Sequence, residues 1–136
     1  MKANVYVGID VSKERLDIGI AGENESWEVS NDPEGIRKLR VKMGRIKPAM
    51  IVMEASGGFE REVYYGMLEA GYPTVVVNPT RVRHYAKAIG QYAKTDQIDA
   101  QVIACFGKDI PQVVRPVQTD EQERLAALLA RRKKSF

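Results

Sequence analysis

Cysteine, histidine and tryptophan each occur only once in this chain. A single cysteine excludes an internal disulfide and a cysteine-rich zinc site, and it points to a reducing cytoplasm as the expected setting. Cys105 lies in the apolar stretch Gln101-Val-Ile-Ala-Cys-Phe106, so it reads as a small buried thiol rather than a nucleophile. His84 reads as a surface side chain rather than a general acid. No apolar run approaches the roughly 18–20 residues of a membrane span, and the Met1-Lys2-Ala3 start does not read as a signal peptide. Net charge is scarce too: 21 Lys and Arg against 18 Asp and Glu leave +3.

What is present is enough for a core. At 44% hydrophobic, a chain of this length can bury roughly two-thirds of its extended surface, which excludes disorder throughout. The small net charge also hides an asymmetry. Residues 1–71 hold 10 basic and 12 acidic side chains, whereas residues 72–136 hold 11 and 6. No acid occurs between Tyr72 and Thr95, where Arg81, Arg83, Lys87 and Lys94 fall. Such a basic half suits a polyanionic partner, or else a solvated surface.

Hydrophobic patterning predicts strands over Asn4–Val11, Leu16–Ala21 and Ser26–Ser30, joined by turn-length links that favour antiparallel pairing. Asn31-Asp32-Pro33 supplies a cap and a first-turn proline for a helix carrying Ile36, Leu39 and Met43. Ala49–Glu54 is a fourth strand. Ser56-Gly57-Gly58 turns into a helix with Phe59, Val63, Met67 and Leu68 on one side, closed by Gly71, and Pro73–Val77 is a fifth strand. A strand–helix–strand order favours parallel pairing. The resulting order β-β-β-α-β-α-β is that of an α/β, ribonuclease H-like mixed sheet. Further helices are predicted over Pro79–Ile89, over Asp96–Phe106 with Gly107 as its stop, and over Thr119–Lys134, the last after a linker marked by Pro111 and Pro116.

Four acids stand out by position. Asp10 is embedded in the strand Val7-Gly-Ile-Asp-Val11, where an ionised carboxylate is expensive unless paired or metal-bound. Glu54 ends an apolar strand, at the strand end where ligands of α/β sheets collect. Asp96 and Asp99, three apart on the predicted helix, would share nearly one face. Together the four could hold two divalent cations about 3.5–4 Å apart for phosphoryl transfer. Hard oxygen ligands favour Mg²⁺ or Mn²⁺ over zinc. Each acid has a plainer reading as well. Asp10 could cap the following turn or pair with Lys13, Glu54 could be an exposed strand end, and Asp96 and Asp99 could be an N-cap and a third helical residue.

Three segments carry a resemblance: Val7-Gly-Ile-Asp10-Val-Ser-Lys13, Met53-Glu54-Ala-Ser-Gly-Gly-Phe59 and Lys94-Thr-Asp96-Gln-Ile-Asp99-Ala100. Together they resemble the DEDD transposases of bacterial insertion sequences and the Piv-related DNA invertases. Val76-Val-Asn-Pro-Thr-Arg-Val-Arg83 is similar to the family segment leading to the last acidic pair, and the likeness spans residues 4 to about 134. The resemblance implies a RuvC-like catalytic domain over residues 1–108 of a bacterial, cytoplasmic enzyme. It implies Asp10, Glu54, Asp96 and Asp99 as catalytic metal ligands, Mg²⁺ as cofactor, and cutting and rejoining of DNA strands. It also implies a structured guide RNA as partner.

Members of that group carry a second, C-terminal domain with a catalytic serine. Ser12, Ser26, Ser30, Ser56 and Ser135 lie in no such context. The expectation is therefore an N-terminal piece, with residues 109–136 as linker and start of a helix leading to a domain not in this sequence, and no full recombination by the piece alone.

Lys13, Arg81, Arg83, Lys87 and Lys94 are the expected phosphate contacts, with Tyr85 and Tyr92 available to stack on unpaired bases. A solvated helix with half-buried tyrosines is the other reading. Trp27 reads as core, and at most one of Tyr64 and Tyr65 faces inward. Gly57 and Gly58 could bring N–H groups to a phosphate or simply make the turn. Two competing functions remain at this stage. One is a non-catalytic nucleic-acid or guide-RNA module that dimerises through the Leu125, Leu128 and Leu129 stripe, and the other is a fragment of an actin-like ATPase.

Overall fold

Turn-length links fold the first three strands back on one another, whereas the later strands return through helices. The structure, a computed structural model, describes residues 4–90 and 99–112. β1 (Tyr6–Val11), β2 (Arg15–Ile20) and β3 (Ser26–Ser30) pair antiparallel. β4 (Met50–Glu54) and β5 (Thr74–Val77) pair parallel, giving a sheet of order β3-β2-β1-β4-β5. The helices are α1 (Pro33–Ile46), α2 (Arg61–Glu69), α3 (Pro79–Ala88) and α4 (Ala100–Asp109).

The period of two along each strand divides the core into two layers. Val7, Ile9 and Val11, Leu16, Ile18 and Ile20, and Ile51 and Met53 bury against Ile36, Leu39 and Met43 of α1 and against Val63 and Met67 of α2. On the opposite face Val52, Val75 and Val77 pack with Val82 and Ala86 of α3 and with Val102, Ile103 and Phe106 of α4. By the same alternation Gly8, Asp10, Asp17, Gly19 and Glu54 fall on the α4 face. Polar chemistry therefore belongs to one side of the sheet.

The first helix starts as its residues dictate. The Asp32 carboxylate accepts from Gly35 N–H at 2.7 Å, with Pro33 in the first turn. Gly35 has no room for a side chain, because a Cβ there would lie 1.7 Å from the Ser30 carbonyl oxygen.

Helix α4 departs from the sequence reading at both ends. Asp99 is extended, at φ −92 and ψ 174, and is itself the N-cap, accepting from Val102 N–H at 2.9 Å. Asp99 is therefore not within the helix, where the sequence reading puts it, but is the residue that caps it. At the far end Gly107 does not stop the helix, which continues to Asp109. Gly107 is there for contact: a Cβ would lie 2.2 Å from Val52 Cγ2. Phe59 is another correction, since it precedes α2 and is exposed rather than on that helix's buried side. Cys105 and Trp27 are half-buried rather than fully in the core, and Lys42 Nζ lies 3.9 Å over the Trp27 ring.

The helix predicted over 119–134, with its leucine stripe, lies outside the described residues, as do Tyr92, Lys94, Asp96 and Pro116. Among the described residues no helix is long and apolar enough to cross a membrane.

Candidate active site

Two glycines set the site. Gly8 of β1 and Gly19 of β2 are partners in register, and α4 rests its backbone on both. A Cβ on Gly8 would lie 2.0 Å from the Ala100 oxygen and 2.5 Å from the Ala104 nitrogen; one on Gly19 would lie 2.8 Å from the Gln101 nitrogen. Side chains here would lift the helix off the sheet. Their absence brings the start of α4 down onto β1, and Asp99 is the residue just before that start. The first strand's Asp10, two residues beyond Gly8, thus comes within electrostatic reach of Asp99.

Glu54 joins them from the neighbouring parallel strand. Ile9 pairs with Met53, so Asp10 and Glu54 follow side by side on the α4 face at the carboxyl ends of their strands. Burial raises Asp10 above its ordinary value, and the charges of Asp17 and Asp99 add to this while Arg15 opposes it. Burial and then the Asp10 charge push Glu54 up to about 7, with Arg83 opposing. Glu54 Oε1 is buried without a hydrogen-bond partner. An orphaned carboxylate oxygen beside a second desolvated acid fits a hard cation, which would supply the missing partner and cancel the repulsion.

The described acids nevertheless do not close into a set of three ligands around one point; among the described residues no such group of His, Cys, Asp or Glu occurs. Asp96, the fourth expected acid, lies outside them.

Of the plainer readings, the one for Asp99 is corrected: it is not a third helical residue but the N-cap of α4, its Oδ1 accepting from Val102 N–H. The alternative for Asp10 does not hold. No ion pair joins it to Lys13, which is exposed, and the turn is instead closed by Ser12, whose N–H and hydroxyl both donate to the Arg15 carbonyl at 2.9 Å. Glu54 is only half-exposed, not a free strand end.

Two further acids shape the site, and the sequence reading does not single them out. Asp17 lies directly opposite Asp10 in the β1–β2 register. Arg15 Nε reaches both Asp17 Oδ2 at 3.2 Å and Glu28 Oε2 at 3.3 Å. The tight turn at Ser12–Arg15 carries the signal, since it fixes which residue of β2 faces Asp10. Glu60 organises the loop after Glu54. Its Oε1 accepts from Ser56 N–H at 2.9 Å, Gly58 N–H at 3.0 Å and the Ser56 hydroxyl at 3.1 Å. Burial alone would raise Glu60, but these donors hold it below its ordinary value. Gly57 and Gly58, at φ +71 and +106, make this turn, and the Gly58 amide is spent on Glu60 rather than turned to a phosphate.

The basic residues of α3 separate into two roles. The Arg81 guanidinium sits 5.5 Å over the Phe106 ring, and Tyr85 packs edge-on against Phe106 while its hydroxyl donates to Asp109 Oδ2 at 2.5 Å. Arg81 and Tyr85 thereby brace α3 to α4. Arg83 and Lys87 are exposed, and Arg83 is the one whose charge acts on Glu54. His84 is exposed, as expected. Tyr64 packs on the core and Tyr65 faces outward, so one of the pair is inward.

The chain matches the family model of the DEDD transposases of the IS110 type over residues 7–135. Two curated relatives are the pilin gene-inverting proteins of Moraxella bovis and Moraxella lacunata. Each is 27% identical over 138 residues, covering 96% of this chain and 42% of the relative. The chain thus spans about two-fifths of the length of these relatives. Among solved structures, Thermus thermophilus RuvC in complex with a Holliday junction substrate is similar at a TM-score of 0.55 and 17% identity, over 75% of this chain and 90% of that one. A second Thermus thermophilus RuvC structure gives 0.53 and 18%, over 74% and 90%. These likenesses establish the ribonuclease H-like, RuvC-like fold.

Proposed function

Since this chain belongs to the IS110-type DEDD transposase family, we propose that it is the metal-dependent catalytic part of a DNA transposase or recombinase, cleaving and transferring DNA strands. The observation that carries this reading is Glu54 Oε1, buried without a partner at the end of β4 and next to the desolvated Asp10.

Asp10, Glu54 and Asp99, with Asp96, would hold Mg²⁺ or Mn²⁺. When bound, the ion supplies an electrophile that offsets charge on a phosphoryl group. The chain's own residues do the rest. Burial by α4 strips water from Asp10 and Glu54, so their electrostatics act in a low dielectric. Asp99 keeps α4 capped with one oxygen and leaves the other for the site. Arg83, Lys87 and Lys13, with Lys94, would neutralise the DNA backbone, and Arg83 would set a phosphate against Glu54. Arg81, committed to Phe106, would contribute mainly by holding α3 in place. A guide RNA and self-association through residues 119–134 belong to the same proposal, as does the division into a catalytic domain over 1–108 and a connecting segment over 109–136.

Calorimetric titration with Mn²⁺ tests the reading, using this chain and Asp10→Asn. Binding by the wild type that is lost in Asp10→Asn is the expected result. Binding by neither, with nucleic acid still retained, would leave a nucleic-acid-binding module and sink the catalytic role.

A further inference from the structure

We propose that Asn31 is a positioning residue, a clasp that holds together the two loops that follow the site carboxylates. The inference rests on the metal-site reading of Asp10 and Glu54. β1 and β4 run side by side up to Ile9 and Met53, and then their chains part. One turns back into β2 through Ser12; the other enters the loop leading to α2. Asp10 and Glu54 sit at this fork, where the shared ladder ends.

Asn31 reaches both branches. Its side-chain Nδ2 donates to the Ser12 carbonyl at 2.8 Å and to the Phe59 carbonyl at 3.0 Å. Its backbone N–H donates to the Glu14 carbonyl at 3.0 Å. Ser12 is two residues past Asp10, and Phe59 is five past Glu54. The carboxamide is the group that this task requires, because a planar NH₂ has two hydrogens and can serve two carbonyls at once. An aspartate of the same shape has no hydrogen to give when ionised, and a serine has one. Asn31 is itself held between β3 and the capped start of α1, so the clasp is anchored on the opposite side of the sheet from α4. Glu60 then passes the constraint along the second branch, because it fixes Ser56 and Gly58 within the same loop. Loops tied this way keep the carboxylates at a set separation before any cation arrives, as supporting contacts do around metal sites.

Hydrogen exchange and Mn²⁺ titration on the 136-residue chain test the clasp, comparing wild type with Asn31→Ala, Asn31→Asp and Asp32→Ala. Asp32→Ala removes the neighbouring helix cap without touching either loop. Both Asn31 variants are expected to speed exchange in residues 12–14 and 55–60 together, and to weaken Mn²⁺ binding on the order of tenfold. Asp32→Ala should lower stability and bind Mn²⁺ like the wild type. Unchanged exchange, or loosening of one loop alone, overturns the clasp. So does full Mn²⁺ affinity in the Asn31 variants, or an equal loss in Asp32→Ala. If wild type itself binds no Mn²⁺, the metal site falls and the clasp's role falls with it, whereas binding by wild type with no effect at Asn31 removes the clasp alone.

Discussion

The Ala100 carbonyl oxygen lies directly over Gly8, at 2.0 Å from where a Cβ on that glycine would stand. This contact sets the height of α4 above the sheet and thereby the place of Asp99 beside Asp10. Gly8→Ala forces backbone against side chain, and urea unfolding should show a loss of about 3 kcal/mol or more. Gly22→Ala is the comparison, because Gly22 has φ +83 but nothing within 4 Å. Its left-handed backbone costs about 1 kcal/mol, with no effect on the site.

Asp99 has two duties that substitution separates. Asp99→Asn keeps an oxygen for Val102 N–H and should retain near-wild-type stability while Mn²⁺ affinity falls. Asp99→Ala removes the cap too, and should lose about 1 kcal/mol in addition. Equal metal binding in all three chains would dismiss Asp99 as a ligand.

Glu54 gives the metal-free protein a pH dependence of definite sign. Its ordinary value is 4.5 and the folded value is about 7, so the folded chain holds the proton more tightly. The stability from this group is fully present below pH 4.5 and is lost as pH rises through about 7. Relative to wild type, Glu54→Gln should therefore gain stability between pH 5 and 8 in the presence of a chelator, read as the difference between their melting curves across that range. Mg²⁺ should reverse the trend for wild type only, since the ion binds the deprotonated carboxylate. A flat difference between the two chains would contradict the desolvated Glu54.

Arg81 and Arg83 should part company. Arg83→Ala is expected to weaken DNA binding and to reduce the magnitude of the salt slope by about 1, with stability unchanged. Arg81→Ala removes the contact over Phe106, and should lower stability by about 0.5–1 kcal/mol with a smaller effect on DNA. Filter binding across a salt series, paired with thermal melts, reads both.

Much of this was legible in the sequence, because strand alternation and capping residues act locally. Ser26–Ser30, the Asp32 cap and the ends of β4 and β5 follow directly from residue type. The start of α4 was not legible at the correct residue. The residue pattern puts Asp99 inside the helix, whereas it caps α4 where the glycine floor of Gly8 and Gly19 lets the helix touch down, a contact between distant parts of the chain. Gly107 misled for the same reason: next to Val52 it is a packing residue, although in isolation it looks like a stop. Asp17 and Asn31 were missed because their importance comes from register and from a bridge between loops, neither of which has a local pattern.

The acids of the site come from the first strand, from the fourth and from the threshold of the last described helix, so distant parts of the chain must meet to form it. Only with α4 settled on Gly8 and Gly19 does Asp99 come within electrostatic reach of Asp10. A chain cut short before α4 would therefore lack that arrangement of acids.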